Sequence, residues 1–130
     1  GLTHMGIQEI TRFKCERCGM TTGSRARILI VDDDPHIRQL LVFAFGKAGL
    51  ETVEAGDGEE ALLFARETPP DIVLLDWMIE SLPGIEVCRR LRRNPKSANV
   101  PIIISTVRSH APGGILRGRS RRVSFSRLVF

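Results

Sequence analysis

Two four-residue runs without a polar side chain, Ile28-Leu29-Ile30-Val31 and Ile72-Val73-Leu74-Leu75, constrain this chain more than any other feature. Each is too short for a buried helix, is rich in branched side chains, and stops at an aspartate. Such runs suit central strands of a parallel sheet, covered on both faces. Val100 to Ser105 is a third run, closed by Thr106, and Thr52-Val53-Glu54 reads as a brief further strand.

Helical patterns fill the intervals. Asp34 is a good N-cap and Pro35 a good first helical residue. Ile37, Leu40, Leu41, Ala44, Phe45 and Ala48 then recur at helical spacing, and Gly49 stands where a left-handed stop belongs. A second helix spans Glu59 to Glu67, using Ala61, Leu62 and Ala65, and Pro69-Pro70 ends it. A third carries Ile85, Cys88 and Leu91 on one face and ends at Asn94-Pro95, with Arg89, Arg90, Arg92 and Arg93 read as a solvated face near its negative end. Strands alternating with helices predict an α/β fold with a doubly wound parallel sheet.

In such a sheet ligands bind beyond the carboxyl ends of the strands. That edge gathers Asp32 and Asp33 from the first strand, Asp76 from the third and Thr106 from the fourth. Three carboxylates in one pocket repel each other and call for a counter-charge. Magnesium supplies it, since it takes oxygen ligands and keeps several waters. An aspartate beside such a metal can attack phosphorus, and the Thr106 hydroxyl could bond an oxygen of the product.

Charge divides the chain. Residues 108–130 hold six arginines and no acid, so removing them from the net +4 leaves −2 for residues 1–107. The expected organisation is a leader over 1–24, poorly ordered, a folded core over 25–107 and an atypical Arg/Gly-rich tail over 108–130. No apolar run reaches the roughly 20 residues of a membrane span, and no secretion signal opens the chain, so no membrane partner and a cytoplasmic location are expected. Three cysteines are too few for a disulfide framework. Cys88 reads as core. Cys15 and Cys18 make one CxxC, with His4 the nearest further ligand, short of the four a structural zinc site needs. His36 reads as a solvated residue at a helix start.

The pieces ILIVDDDPHIRQLL, EAGDGEEAL, PDIVLLDWM, GIEVCRRLRR and VPIIIST, in that order, resemble the receiver domain of two-component response regulators. Asp76-Trp77-Met78 and GIEVCRRLRR are similar to the branch whose members carry a winged-helix DNA-binding domain. The resemblance covers residues 27–107 and implies a flavodoxin-like sheet, with the family's last strand and helices unmatched. It implies Asp76 as phosphoacceptor, and Asp33, Asp32, Asp76 and the backbone carbonyl of Met78 as protein ligands of Mg2+. It implies Thr106 as the switch residue and Gly84 as the glycine that lets the loop after Asp76 fold back. It implies a histidine kinase as phosphodonor, DNA contact through an output domain absent from these residues, and a signalling module rather than an enzyme. Homodimers of the family form through the segment after the fourth strand, which does not match here.

The chain departs from the family in three places. Glu80 stands where members usually have proline, Val107 follows the switch position where a small residue is usual, and no family lysine is found. The lysines are Lys14, Lys47 and Lys96, none of them after the fourth strand. The break between Thr106 and His110 leaves a second reading open, a truncated or frame-shifted pseudo-receiver that binds metal or partners without efficient phosphorylation. Two further classes remain. An aspartate-nucleophile phosphatase wants an acid two residues after its nucleophile, and Met78 stands there. A nucleic-acid binder would act through the arginine-rich tail.

Overall fold

The computed structural model describes residues 2–10, 26–79, 82–109 and 121–128; for 2–5, 7, 8, 106–109 and 121–124 it describes the backbone alone. In chain order the elements are β1 (Leu2–Met5), α1 (Ile7–Ile10), β2 (Arg27–Val31), α2 (Pro35–Lys47), β3 (Glu51–Ala55), α3 (Gly58–Glu67), β4 (Ile72–Asp76), α4 (Gly84–Arg93), β5 (Ile102–Ser109) and β6 (Arg121–Leu128). They form one six-stranded sheet in the order β1-β6-β5-β4-β2-β3. β3, β2, β4 and β5 run parallel. Their order is that of the first four strands in a flavodoxin-like doubly wound sheet, as the apolar runs predict.

The start and stop signals behave as their chemistry requires. Asp34 caps α2, its Oδ1 accepting the His36 amide at 2.9 Å. Gly49 takes φ 96° just past the end, a conformation a side chain would strain. Asp57 caps α3 in the same way, accepting the Glu60 amide at 2.8 Å.

The alternating sides of the strands feed two cores. One packs Leu29, Val31, Val73, Leu75, Ile102 and Ile104 under α3 and α4. The other packs Ile28, Ile30, Ile72, Leu74 and Ile103 under α2, joined by Ile10 and Phe125. Phe45 and Phe125 meet edge to face at 5.9 Å between centroids. Cys88 is fully buried, as read from its helical spacing. The apolar stripe of α2 is narrower than predicted: Ile37, Leu41 and Phe45 are buried, whereas Leu40 is 64% exposed. On α4 Val87 takes the buried place expected of Ile85, because that helix enters at Gly84 with Val87, Cys88 and Leu91 inward.

Three expectations need correction. The fourth strand is not Val100–Ser105 but Ile102–Ser109. Val100 closes a turn by donating its amide to Ser97, and Arg92 braces that turn by donating to the carbonyls of Ser97 and Val100 at 3.3 and 2.7 Å. Arg92 is therefore half-buried and structural rather than a solvated charge. The strand runs on past Thr106 because β6 pairs with it antiparallel along its whole length, Ile102 against Leu128 through Ser109 against Arg121. The tail therefore supplies a strand over 121–128, in the place where the family's fifth parallel strand would lie. Finally, the leader is not without regular structure at 2–10: β1 pairs antiparallel with β6, and Ile10 is fully buried. Cys15, Cys18 and Glu80 lie outside the described residues, as do residues 110–120 of the tail.

Candidate functional site

Parallel register delivers the acids to one end of the sheet. β2 and β4 are adjacent, with Val31 opposite Leu75, so the residues that follow, Asp32 and Asp76, stand side by side at that end of the sheet. Asp32, Asp33 and Asp76 each offer a carboxylate oxygen, and these oxygens lie within 4.8 Å of one another. Asp32 is 3% exposed, Asp76 half-buried and Asp33 exposed.

Backbone donors hold two of them. Asp32 Oδ1 accepts the Asp34 amide at 2.9 Å, and Asp76 Oδ1 accepts the Met78 amide at 3.0 Å. Burial still dominates. It pushes the Asp32 carboxyl up to about 6, with the charges of Asp76, Asp33 and Asp34 adding to the rise and the Asp34 amide opposing it. Asp76 is raised as well, first by burial, against the pull of the Met78 amide. Two neighbouring carboxylates whose charged forms are disfavoured by burial and by each other's charge are suited to a cation. An oxygen-only donor set of this kind fits a hard divalent ion such as magnesium.

Two neighbours shape the turns. Arg38, one turn into α2, donates from Nη1 to the backbone oxygen of Asp32 at 2.8 Å and from Nε to Glu54 Oε1 at 3.1 Å. It ties the acidic turn to α2 and β3, and the sequence reading did not single it out. Its signal was faint, a basic residue four places after the N-cap. Gly84 opens α4 against Trp77: a Cβ there would stand 2.9 Å from Trp77 Cε3 and 3.1 Å from the Trp77 carbonyl oxygen. The residue after Asp76 and the start of α4 can lie this close only because position 84 has no side chain.

Of the predicted site residues, Asp32, Asp33 and Asp76 come together. Met78 follows in the turn, its amide on Asp76 and the residue 77% exposed. The Thr106 backbone belongs to β5, and its side chain lies outside the described residues. Asp76 stands in register with Ser105.

The family model described as the response regulator receiver domain matches residues 28–114. The chain belongs to the response regulator receiver family. This receiver is 44% identical over 85 residues to the DNA-binding response regulator MtrA of Mycolicibacterium smegmatis, covering 65% of this chain and 36% of that one. It is 41% identical over 81 residues to the phosphate regulon transcriptional regulatory protein PhoB of Pseudomonas aeruginosa, covering 62% and 35%. The chain thus spans about a third of the length of these relatives. Among solved structures, it resembles the N-terminal domain of a response regulator receiver protein from Methanoculleus marisnigri JR1, with TM-score 0.62 and 36% identity over 68% of this chain and 72% of that one. The chemotaxis response regulator CheY4 of Vibrio cholerae gives TM-score 0.61 and 31% identity over 62% and 68%. Among the described residues of the receiver, no helix is long and apolar enough to cross a membrane.

Proposed function

We propose that this receiver is the phosphoacceptor module of a two-component pathway, taking a phosphoryl group from a histidine kinase onto Asp76. The observation that carries the reading is the cluster of Asp32, Asp33 and Asp76 at the carboxyl edge of the sheet. Asp33 and Asp76, with the Met78 carbonyl, would ligate Mg2+ directly and Asp32 through water. When bound, the ion neutralises charge on the transferring phosphoryl oxygens.

The chain's own residues do the rest. The Met78 amide fixes Oδ1 of Asp76 and so orients the carboxylate. Its other oxygen attacks phosphorus, and the bond from phosphorus to the donor imidazole breaks. The imidazole leaves with the electron pair. Arg38 keeps the turn of Asp32 and Asp33 facing that oxygen by holding the Asp32 carbonyl. Thr106 serves as the switch hydroxyl and Gly84 as the hinge that keeps Trp77 against α4. The relatives' names associate the whole protein with DNA binding, which would reside in a further domain, with the receiver acting in the cytoplasm.

The test is intact-mass spectrometry after incubation with Mg2+ and phosphoramidate. One phosphoryl group should add to the parent chain, and none to Asp76→Asn. Equal labelling of Asp76→Asn would refute the assignment.

A further inference from the structure

Ser105 is 2% exposed, and among the described residues its hydroxyl has no hydrogen-bond partner. Buried hydroxyls are normally satisfied, and an orphan is costly enough to require a reason. The neighbours across the sheet supply one. Register partners on adjacent strands share a face, and Ser105 has two: Phe125 on β6 and Asp76 on β4. Phe125 is a core ring and offers no acceptor. Asp76 is a carboxylate at the acidic edge, one strand spacing of about 4.8 Å away. Its Oδ1 already receives the Met78 amide. The other orphaned buried atom, Arg27 Nε, lies at the far end of β2.

We propose that Ser105 is a further residue of the phosphoryl site, its hydroxyl donating a hydrogen bond to an oxygen of the phosphorylated Asp76 side chain. The inference rests on Asp76 being the phosphoacceptor. Phosphorylation forms one bond, from an Asp76 carboxylate oxygen to phosphorus. It breaks one, from phosphorus to the leaving group of an acyl phosphate or phosphoramidate, which departs with the electron pair, as a carboxylate from the first and as a protonated amine from the second. The Ser105 proton stays on Oγ, and what changes is its partner. Phosphorylation brings three strong acceptor oxygens to a strand end where Asp76 had one carboxylate. A donor held unpaired beside Asp76 is matched to that gain. The serine therefore stabilises the phosphorylated state more than the resting one.

The test titrates Mg2+ and beryllofluoride, a phosphoryl mimic, into the parent chain, Ser105→Ala and Asp76→Asn, reading Trp77 fluorescence. Melting of each unliganded chain is recorded alongside. Ser105→Ala should bind beryllofluoride about three- to tenfold more weakly, the range for one lost hydrogen bond. Its unliganded melting temperature should be equal to or above the parent's, since the deleted hydroxyl had no partner. A lower unliganded melting temperature would mean that the hydroxyl already has a structural bond, and would overturn the proposal. Binding by the parent that is unchanged in Ser105→Ala would overturn the proposal alone. Absence of binding by the parent, or its persistence in Asp76→Asn, would overturn the phosphoacceptor reading and this inference with it.

Discussion

The half of the sheet made of β3, β2 and β4 and the half made of β5, β6 and β1 are built by different rules. In the first, every connection is a crossover through a helix, and β2 and β4 are short runs buried on both faces. In the second, β6 pairs antiparallel with β5 and β1 antiparallel with β6, so strand direction alternates. All three acids of the candidate site belong to the first half. The second half contributes Ser105, and it contributes Phe125 and Ile10 to the core beneath α2. A site can thus be carried by one architecture while a different one closes the core next to it.

The comparison breaks most visibly if the second half proves dispensable. Phe125 is 6% exposed and meets Phe45 edge to face. Phe125→Ala should cost about 3–5 kcal/mol of unfolding free energy in urea denaturation. A loss below about 1 kcal/mol would mean that the hairpin is an appendage and that the parallel half stands without it.

A smaller effect probes the joint between site and helix. Gly84→Ala should cost about 1–3 kcal/mol, because the new methyl meets the Trp77 ring and carbonyl. Trp77 emission should shift to longer wavelength as the ring is displaced. Gly46→Ala, where nothing stands within 4 Å, should instead stabilise α2 by about 0.5–1 kcal/mol. Equal effects at the two glycines would show that Trp77 does not pack as described.

The smallest effect comes from pH. Asp32 holds its proton up to about 6 in the folded chain, against an ordinary value of 3.8. Between those values the folded state binds more protons than the unfolded one, so metal-free stability rises as pH falls, by up to about 1 kcal/mol per unit. Asp76 is shifted in the same direction. Magnesium must displace that proton, so its affinity should fall roughly tenfold per unit below pH 6. Calorimetric melting of the metal-free chain, and magnesium titration followed at Trp77, check the two halves of this prediction. Metal-free stability rising from pH 5 to 7 would contradict it.

Legibility in the sequence follows the same division. The runs at 28–31 and 72–75, the Asp34-Pro35 start and the Gly49 stop are local signals, and each element they announced is present. Asp32, Asp33 and Asp76 were legible because a parallel sheet sends its strand ends to one edge. The antiparallel strands were not. Leu2–Met5 is four residues with little pattern, and in Arg121–Leu128 the alternation of Val123 and Phe125 with serines is masked by three arginines. Their structure depends on partners distant in the chain, which no window around them contains. The same holds for Ser105 and Arg38, whose roles come from register and from a contact to a backbone oxygen.

The ladder between β1 and β6, with Leu2 opposite Leu128, also has a kinetic consequence. It closes a loop of nearly the whole chain, and closure entropy must be met before any of its hydrogen bonds form. β1 needs β6, and β6 needs β5. Leu2–Met5 leave a ribosome before the other strands of the sheet, yet their strand partner, Arg121–Leu128, is the last of those strands to be made.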